Sequence, residues 1–542
     1  MPTIDDRTQP GFLYVTSWEV CNRLGGVHTV LQTCTPHLET SYNDDLLFVG
    51  PDLWARRTPR AEFTEDATQP PLAAIAAERD IPVRFGRWEI EGRPRAALVD
   101  FGRLLERKNE ILGALWDEHK VDSIHADWDT IERILFGLAA GMLIELHYHT
   151  YVRPTGTRAV AHFHQWLAGA GLLRLSDRTP EIGTVYTPHG TALGRSLAQA
   201  GEPLHRNLER FEPLTTARER GVIAQHSLEV AGANAASVLT SVSEHSGQEI
   251  RHILGREVDL VTPNGFRRVR EADPARREQV REAIFRNAER FLGAPIDRGS
   301  TRLTLSSGPY QVHTKGIDVA LRALGKLREG DEQPARRMLY IIAMRANQTG
   351  PRPETLRRLR SDEFAGEPIG VCTHNLAHPE ADPILQLCRD AGLNNDPDDP
   401  VRVIFAPLMI DGRDPFLPFP YAEVLQACDA TLFPSLYEPW GYTPVESLAA
   451  GVSTATTDLT GFGRFALAGP AEERRALVVL PRSELSDEAL EERVADEARK
   501  FLALDDEAMV SLRSASDKLL ERMSWDRLIG ATLDAHRHAC LL

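Results

Sequence analysis

Two carboxylates, Glu438 and Glu446, stand eight positions apart in the run PSLYEPWGYTPVE, from Pro434 to Glu446. An ionised Glu accepts two or more hydrogen bonds, so a carboxylate in a loop can hold sugar or ribose hydroxyls. Ala430 to Phe433, just before the run, is short and apolar and reads as a buried strand, and a helix begins near Pro444. A strand that empties into a Pro/Gly loop and then a helix is where open α/β sheets bind ligands. Thr443-Pro444-Val445-Glu446 also fits a capping box, which would make Glu446 structural. Glu438 sits between Tyr437 and Pro439, where no cap or ion pair obviously requires it, and the functional reading is favoured there.

Other groups recur at the ends of apolar strands. Phe12 to Thr16 leads to Gly25-Gly26 and a periodic helical stretch, Val27 to Leu38. Two adjacent glycines let a ligand approach the backbone, and the helix N-terminus behind them suits an anion. No GxGxxG fingerprint is present, so a nicotinamide cofactor gains little support. Ala159 to Phe163 leads to His164 and Trp166, Gly183 to Thr187 to His189, Ser237 to Val242 to Ser243-Glu244, and Val258 to Thr262 to Asn264-Gly265. A second series follows a charged stretch, Arg267 to Arg290: Arg302 to Ser306, Met338 to Met344, Val401 to Phe405 and Ala430 to Phe433. Short apolar strands alternating with helices predict mostly parallel sheets. Leu485 to Leu541 is charged and helical in pattern, while Asp396 to Pro400 and Gly350 to Pro353 read as solvated loops.

Gly25-Gly26 and His189 from the first series, with Lys315 and the Glu438 loop from the second, would suit a sugar attached to a diphosphate. Arg195, six residues after His189, could reach a phosphate or be a surface Arg. Lys315 could equally be a solvated loop lysine. His162 and His164 share one face of a strand, but no third ligand lies nearby, so no metal site is expected.

The whole chain sets bounds on this chemistry. Its 542 residues require two or more domains, and 42% apolar with 26% charged residues excludes a wholly disordered or fibrous class. A net charge of -16 argues against a nucleic-acid binder. Six scattered cysteines without a CxxC pair argue against zinc ribbons and disulfide frameworks and fit a reducing cytosol. The N-terminal MPTIDDRTQPG shows no secretory signal, and no apolar run is long enough to span a membrane, so a cytoplasmic location is expected.

Several long segments, in order, resemble the eukaryotic-type glycogen synthases, glycosyltransferase family 3. They are SWEVCNRLGGVHTVLQT (Ser17 to Thr33), VAHFHQWLAGAGL (Val160 to Leu172), TPHGTALGR (Thr187 to Arg195), VTPNGF (Val261 to Phe266), CTHNL (Cys372 to Leu376), PSLYEPWGYTPVESLAAG (Pro434 to Gly451) and DLTGFGRF (Asp458 to Phe465). The resemblance implies α/β architecture of the GT-B type: two Rossmann-like doubly wound domains with an interdomain active-site cleft. The expected divisions are 1–275, 276–505 for the nucleotide-sugar domain, and 506–542 as helices packing back on the first domain. It implies retaining transfer of glucose from a nucleotide sugar, UDP-glucose favoured, to the 4-hydroxyl of glycogen or another α-1,4-glucan. No cofactor and no metal are implied, and a homo-oligomer is expected.

The same resemblance assigns residues. Glu438 contacts the donor sugar and Glu446 the ribose, and Arg195 and Lys315 are the phosphate-binding cations. His189 lies beside the transferred sugar. Arg23, Gly25 and Gly26 form the N-terminal donor loop, and Trp440, Gly441 and Tyr442 join the donor-binding set.

Three departures qualify the match. The turn after the second series' first strand reads Gly308-Pro309-Tyr310, with Pro309 where the family has a phosphate-binding Arg. Losing such a contact costs about 1.5–3 kcal/mol, and Arg345 or His313 is the candidate replacement. Gln165 stands where the family often has Glu. The C-terminal region lacks the family's dense regulatory arginine helix, which predicts a constitutive or differently regulated enzyme resembling bacterial members. One rival reading is a glucan- or nucleotide-binding relative impaired by Pro309. Another is a pyridoxal-phosphate phosphorylase, for which the chain is short.

Overall fold

The structure is a computed structural model that describes residues 10–53, 62–267, 273–328, 334–361, 366 and 368–541. The N-terminal stretch read for a secretory signal lies largely outside these, as does part of the charged stretch after Arg267. The chain forms two compact units. The first comprises Met1–Leu197, Leu204–Arg267 and Arg522–Leu542, and the second Ala198–Pro203 and Arg268–Glu521. A division at 275/276 would cut the helix Pro274–Leu292, which belongs wholly to the second unit. The segment 506–542 is itself divided at Arg522.

The first unit holds β1 (Phe12–Thr16), β2 (Leu46–Pro51), β3 (Phe63–Glu65), β4 (Val83–Trp88), β5 (Arg95–Val99), β6 (Ala159–His164), β7 (Gly183–Thr187), β8 (Val238–Ser241) and β9 (Leu260–Val261). They form one sheet in the order β3-β4-β5-β2-β1-β6-β7-β8-β9. β1 pairs in parallel with β2 on one side and β6 on the other, so the strand order reverses there. β3, β4 and β5 pair antiparallel at one edge. Every residue of β1, β2, β6 and β7 is buried, as expected for parallel strands covered on both faces. The last helix, Trp525–Ala539, packs on β7 and on the helix Gly26–Tyr42. Hydrogen bonds fix it, among them Trp525 Nε1 donating to Thr33 Oγ1 at 2.8 Å and Tyr42 OH meeting His536 Nδ1 at 2.9 Å.

The second unit holds β10 (Thr301–Pro309), β11 (Arg337–Arg345), β12 (Gln348–Pro351), β13 (His374–Leu376), β14 (Val401–Ala406), β15 (Ala430–Leu432), β16 (Ser453–Thr457) and β17 (Leu477–Leu480). Six of these form a wholly parallel sheet, β14-β11-β10-β15-β16-β17. Strand alternation builds its core. Met338, Tyr340, Ile342 and Met344 of β11 enter one apolar cluster, and Leu339, Ile341 and Ala343 enter the cluster on the opposite face. The order reverses between β10 and β15, so the segments after these two strands meet at a topological switch point.

Some local expectations change. Gly350–Pro353 is not a plain loop: β12 runs antiparallel to β13 as a separate two-stranded sheet. Asp399 of the acidic loop is buried and receives Arg328 Nε at 2.9 Å. β10 extends past Ser306 to Pro309, with Gly308 at φ +142°.

Candidate functional site

In the second unit, the loops following β10 and β15 cross-link through their backbones and then through a charge pair. Leu436 N–H donates to the Thr314 carbonyl at 2.8 Å. Gly316 has φ +70°, and a Cβ there would lie 2.0 Å from the Pro434 carbonyl oxygen, so only glycine permits this approach. Arg482 also donates to the Pro434 carbonyl. The ammonium of Lys315 then reaches Glu438 Oε1 at 2.8 Å, with both side chains about a tenth exposed. Ser435 Oγ donates to the same oxygen at 2.8 Å. Glu438 Oε2 faces Gly441, where an added Cβ would sit 3.3 Å away.

The helix that follows starts earlier than the capping box implies. It spans Tyr442–Ala449, with Gly441 as its N-cap at φ +103°. Thr443 Oγ1 is buried without a hydrogen bond, so the box does not form. Glu446 instead lies against Tyr421. Burial and this neighbouring carboxylate raise the Tyr421 hydroxyl well above its ordinary pKa. Trp440 is buried beside Phe465, and its Nε1 has no hydrogen-bond partner.

In the first unit, the loop after β1 is organised by Glu19, a residue that sequence patterns do not single out. Glu19 Oε2 accepts from Gly25 N–H at 2.7 Å and from His28 N–H at 2.9 Å, capping the helix Gly26–Tyr42. Burial raises the Glu19 pKa, and the two backbone donors act against that shift. Arg23, Gly25 and Gly26 are exposed on this anchored loop.

His189 follows β7 at φ +55°, and its Nε2 lies 2.9 Å from His164 Nδ1. Arg195 turns back to donate to the His189 carbonyl at 2.5 Å. Two buried carboxylates hold the N-terminus of the helix that carries Arg195. Glu249 accepts from Thr191 N–H at 2.9 Å and Glu229 from Ala192 N–H at 3.0 Å. Burial pushes the Glu229 carboxyl up to about 8, with Glu249 adding repulsion.

Behind His189 lies a histidine group. His162 contacts His536 Nε2 at 3.1 Å and Thr187 Oγ1 at 2.8 Å, and its ring stacks on His164 at 4.1 Å. Burial holds His164 and His536 down to about 3 and lowers His162 and His189 well below the usual imidazole value. These rings bond to one another and to hydroxyls. Among the described residues, metal-like spacing of His, Asp and Glu occurs instead at Glu118, His119 and Asp177, a partly exposed group away from these strand ends.

A family model described as glycogen synthase matches residues 15–348 and 355–542. The chain belongs to the glycogen synthase family. A glycogen (starch) synthase from Caenorhabditis elegans is 27% identical, over 96% of this chain and 87% of that protein. The liver glycogen (starch) synthase of Homo sapiens is 30% identical, over 84% and 72% respectively. The catalytic domain of starch synthase IV from Arabidopsis thaliana, bound to ADP and acarbose, superposes with a TM-score of 0.56 at 12% identity, covering 98% of this chain and all of that one (100%). Sucrose-phosphate synthase from Thermosynechococcus elongatus gives 0.54 at 14% identity, covering 97% and 98%. The fold is GT-B, and the family makes the chain a glycosyltransferase of the glycogen synthase type. Nothing favours the non-catalytic alternative. No described helix is long and apolar enough to cross a membrane.

Proposed function

We propose that the enzyme transfers glucose from a nucleotide sugar, UDP-glucose favoured, to the 4-hydroxyl of an α-1,4-glucan end with retention of configuration. The observation that carries this reading is the Lys315–Glu438 pair at the switch point of the second sheet. A cation and a carboxylate side by side suit a ligand that joins a phosphate to a hydroxyl-rich sugar.

In this reading Glu438 orients the donor sugar, Glu446 holds the ribose, and Lys315 and Arg195 stabilise charge growing on the departing diphosphate. Trp440, Gly441 and Tyr442 in the second unit bind the donor, as do Arg23 and the Gly25-Gly26 backbone in the first. His189 lies beside the transferred sugar. Its lowered pKa keeps it neutral, so it can hydrogen-bond a hydroxyl without adding positive charge near an oxocarbenium-like carbon.

The bond from C1 to the phosphate oxygen breaks while the glucan O4 bonds to C1 on the same face. The O4 proton passes to the leaving phosphate oxygen, so no protein nucleophile is consumed. Side-chain cations carry the leaving-group charge in this scheme, and no metal or cofactor is assigned a step. A cytoplasmic homo-oligomer is the proposed setting.

The test is nucleotide release by purified protein with glycogen and UDP-, ADP- or GDP-glucose, with and without EDTA. Glycogen-dependent release from UDP-glucose that survives EDTA is expected. Release from no donor would overturn the reading.

A further inference from the structure

We propose that Arg345, at the end of β11, supplies a second diphosphate-binding cation from the second unit, beside Lys315. The proposal rests on the nucleotide-sugar reading above and adds a residue to it.

A nucleoside diphosphate sugar brings two ionised phosphates. At the strand ends of the second sheet, Lys315 is already answered by Glu438 at 2.8 Å. Besides Arg195 of the first unit, a further cation at these strand ends would balance the ligand, and the neighbouring candidates there are engaged elsewhere. His313 Nδ1 is held by Asp318 at 2.8 Å. Arg482 donates to the Pro434 carbonyl, and Arg464 donates to the Asp458 carbonyl at 2.7 Å. Arg352 spans the carbonyls of His374 and Ile369, each at 3.3 Å.

Arg345 differs from these. Its side chain is exposed, and among the described residues no hydrogen bond or ion pair engages it. Its place is set by register: β10 and β11 run parallel, and Arg345 pairs with Pro309. One step earlier on β10 is Gly308, where an added Cβ would lie 3.6 Å from Lys315 Cε. The Lys315 stem therefore passes over the end of β10, and Arg345 closes the adjacent strand one residue beyond. Pro309 offers neither a charge nor an N–H donor at this end. A guanidinium carried by the neighbouring strand supplies the planar, multidentate phosphate donor that proline lacks.

UDP and UMP affinities of the full chain test this by calorimetry, on the unaltered protein, Arg345→Ala and Arg345→Glu. The Arg345 side chain is exposed and bonds to no described residue, so both variants should melt like the parent. We expect Arg345→Ala to weaken UDP at least tenfold and Arg345→Glu more, with a smaller loss for UMP. UDP affinity within threefold of the parent, or equal losses for UDP and UMP, would overturn the assignment. No UDP binding by the unaltered chain would instead overturn the donor reading on which it rests.

Discussion

The Lys315 ammonium lies 2.8 Å from Glu438 Oε1, joining the loops that follow β10 and β15 across the reversal point of the second sheet. Each side chain is about a tenth exposed, so neither charge can be left alone cheaply. Truncating one partner of a buried pair costs about 3–5 kcal/mol of stability. Lys315→Met should therefore lower the melting temperature, and Glu438→Gln added to it should recover much of that loss. Activity should not recover, because removing one charge-stabilising donor at a leaving group costs about 10²–10³ in kcat. Melting and turnover on the two single variants and the double variant separate the effects. Recovery of turnover in the double variant would show that the pair is structural.

Gly441 has φ +103°, and its Cα faces Glu438 Oε2. Gly441→Ala should cost about 1–2 kcal/mol in backbone strain. The new methyl also presses on the carboxylate, so kcat should fall by more than the stability loss explains. A full kcat with a lowered melting temperature would mean that Glu438 needs no fixed position.

Glu19 is a buried acceptor for two backbone donors. Glu19→Ala leaves the Gly25 and His28 N–H groups without their acceptor, and each such loss costs about 1–3 kcal/mol. Loosening the loop that bears Arg23 should raise the KM for the nucleotide sugar and leave the KM for glycogen near its parent value. Glu19→Gln retains an acceptor oxygen and should show a smaller effect. Equal changes in both KM values would contradict a donor-loop role.

How much of each feature is legible in the sequence varies with its origin. β1 is legible to the residue because four apolar residues followed by a β-branched threonine, FLYVT, have few other places to go. Glu438 is legible because it interrupts the passage from a buried strand to a helix. The helix start after it is misread from Thr443-Pro444, since a positive φ at Gly441 starts the helix at Tyr442. Glu19, Glu229 and Glu249 are invisible as functional groups. They look like ordinary acids until folding brings distant backbone N–H groups to them, 37 positions away for Glu229 and 58 for Glu249. His536 meets His162 across 374 positions, a contact no local pattern announces.

That histidine group should make the first unit acid-labile. His164 and His536 are held to about 3 in the folded state by burial, against about 6.5 when unfolded. The folded state therefore binds fewer protons than the unfolded chain between these values. The stabilisation is complete above about pH 6.5 and is lost as pH falls toward about 3, by up to about 1.4 kcal/mol per pH unit for each ring. Urea midpoints at falling pH should decline below about pH 6.5, and His536→Gln should make that decline shallower. A parent curve flat through this window would contradict buried neutral imidazoles.

The most direct test of the account is incorporation of labelled glucose from UDP-glucose into glycogen by the parent and by Glu438→Gln, both confirmed folded by melting. Elongation by the parent and a loss of at least a hundredfold in the variant are expected, with UDP still bound. Incorporation by the variant at the parent rate would contradict a donor site built on the Lys315–Glu438 pair.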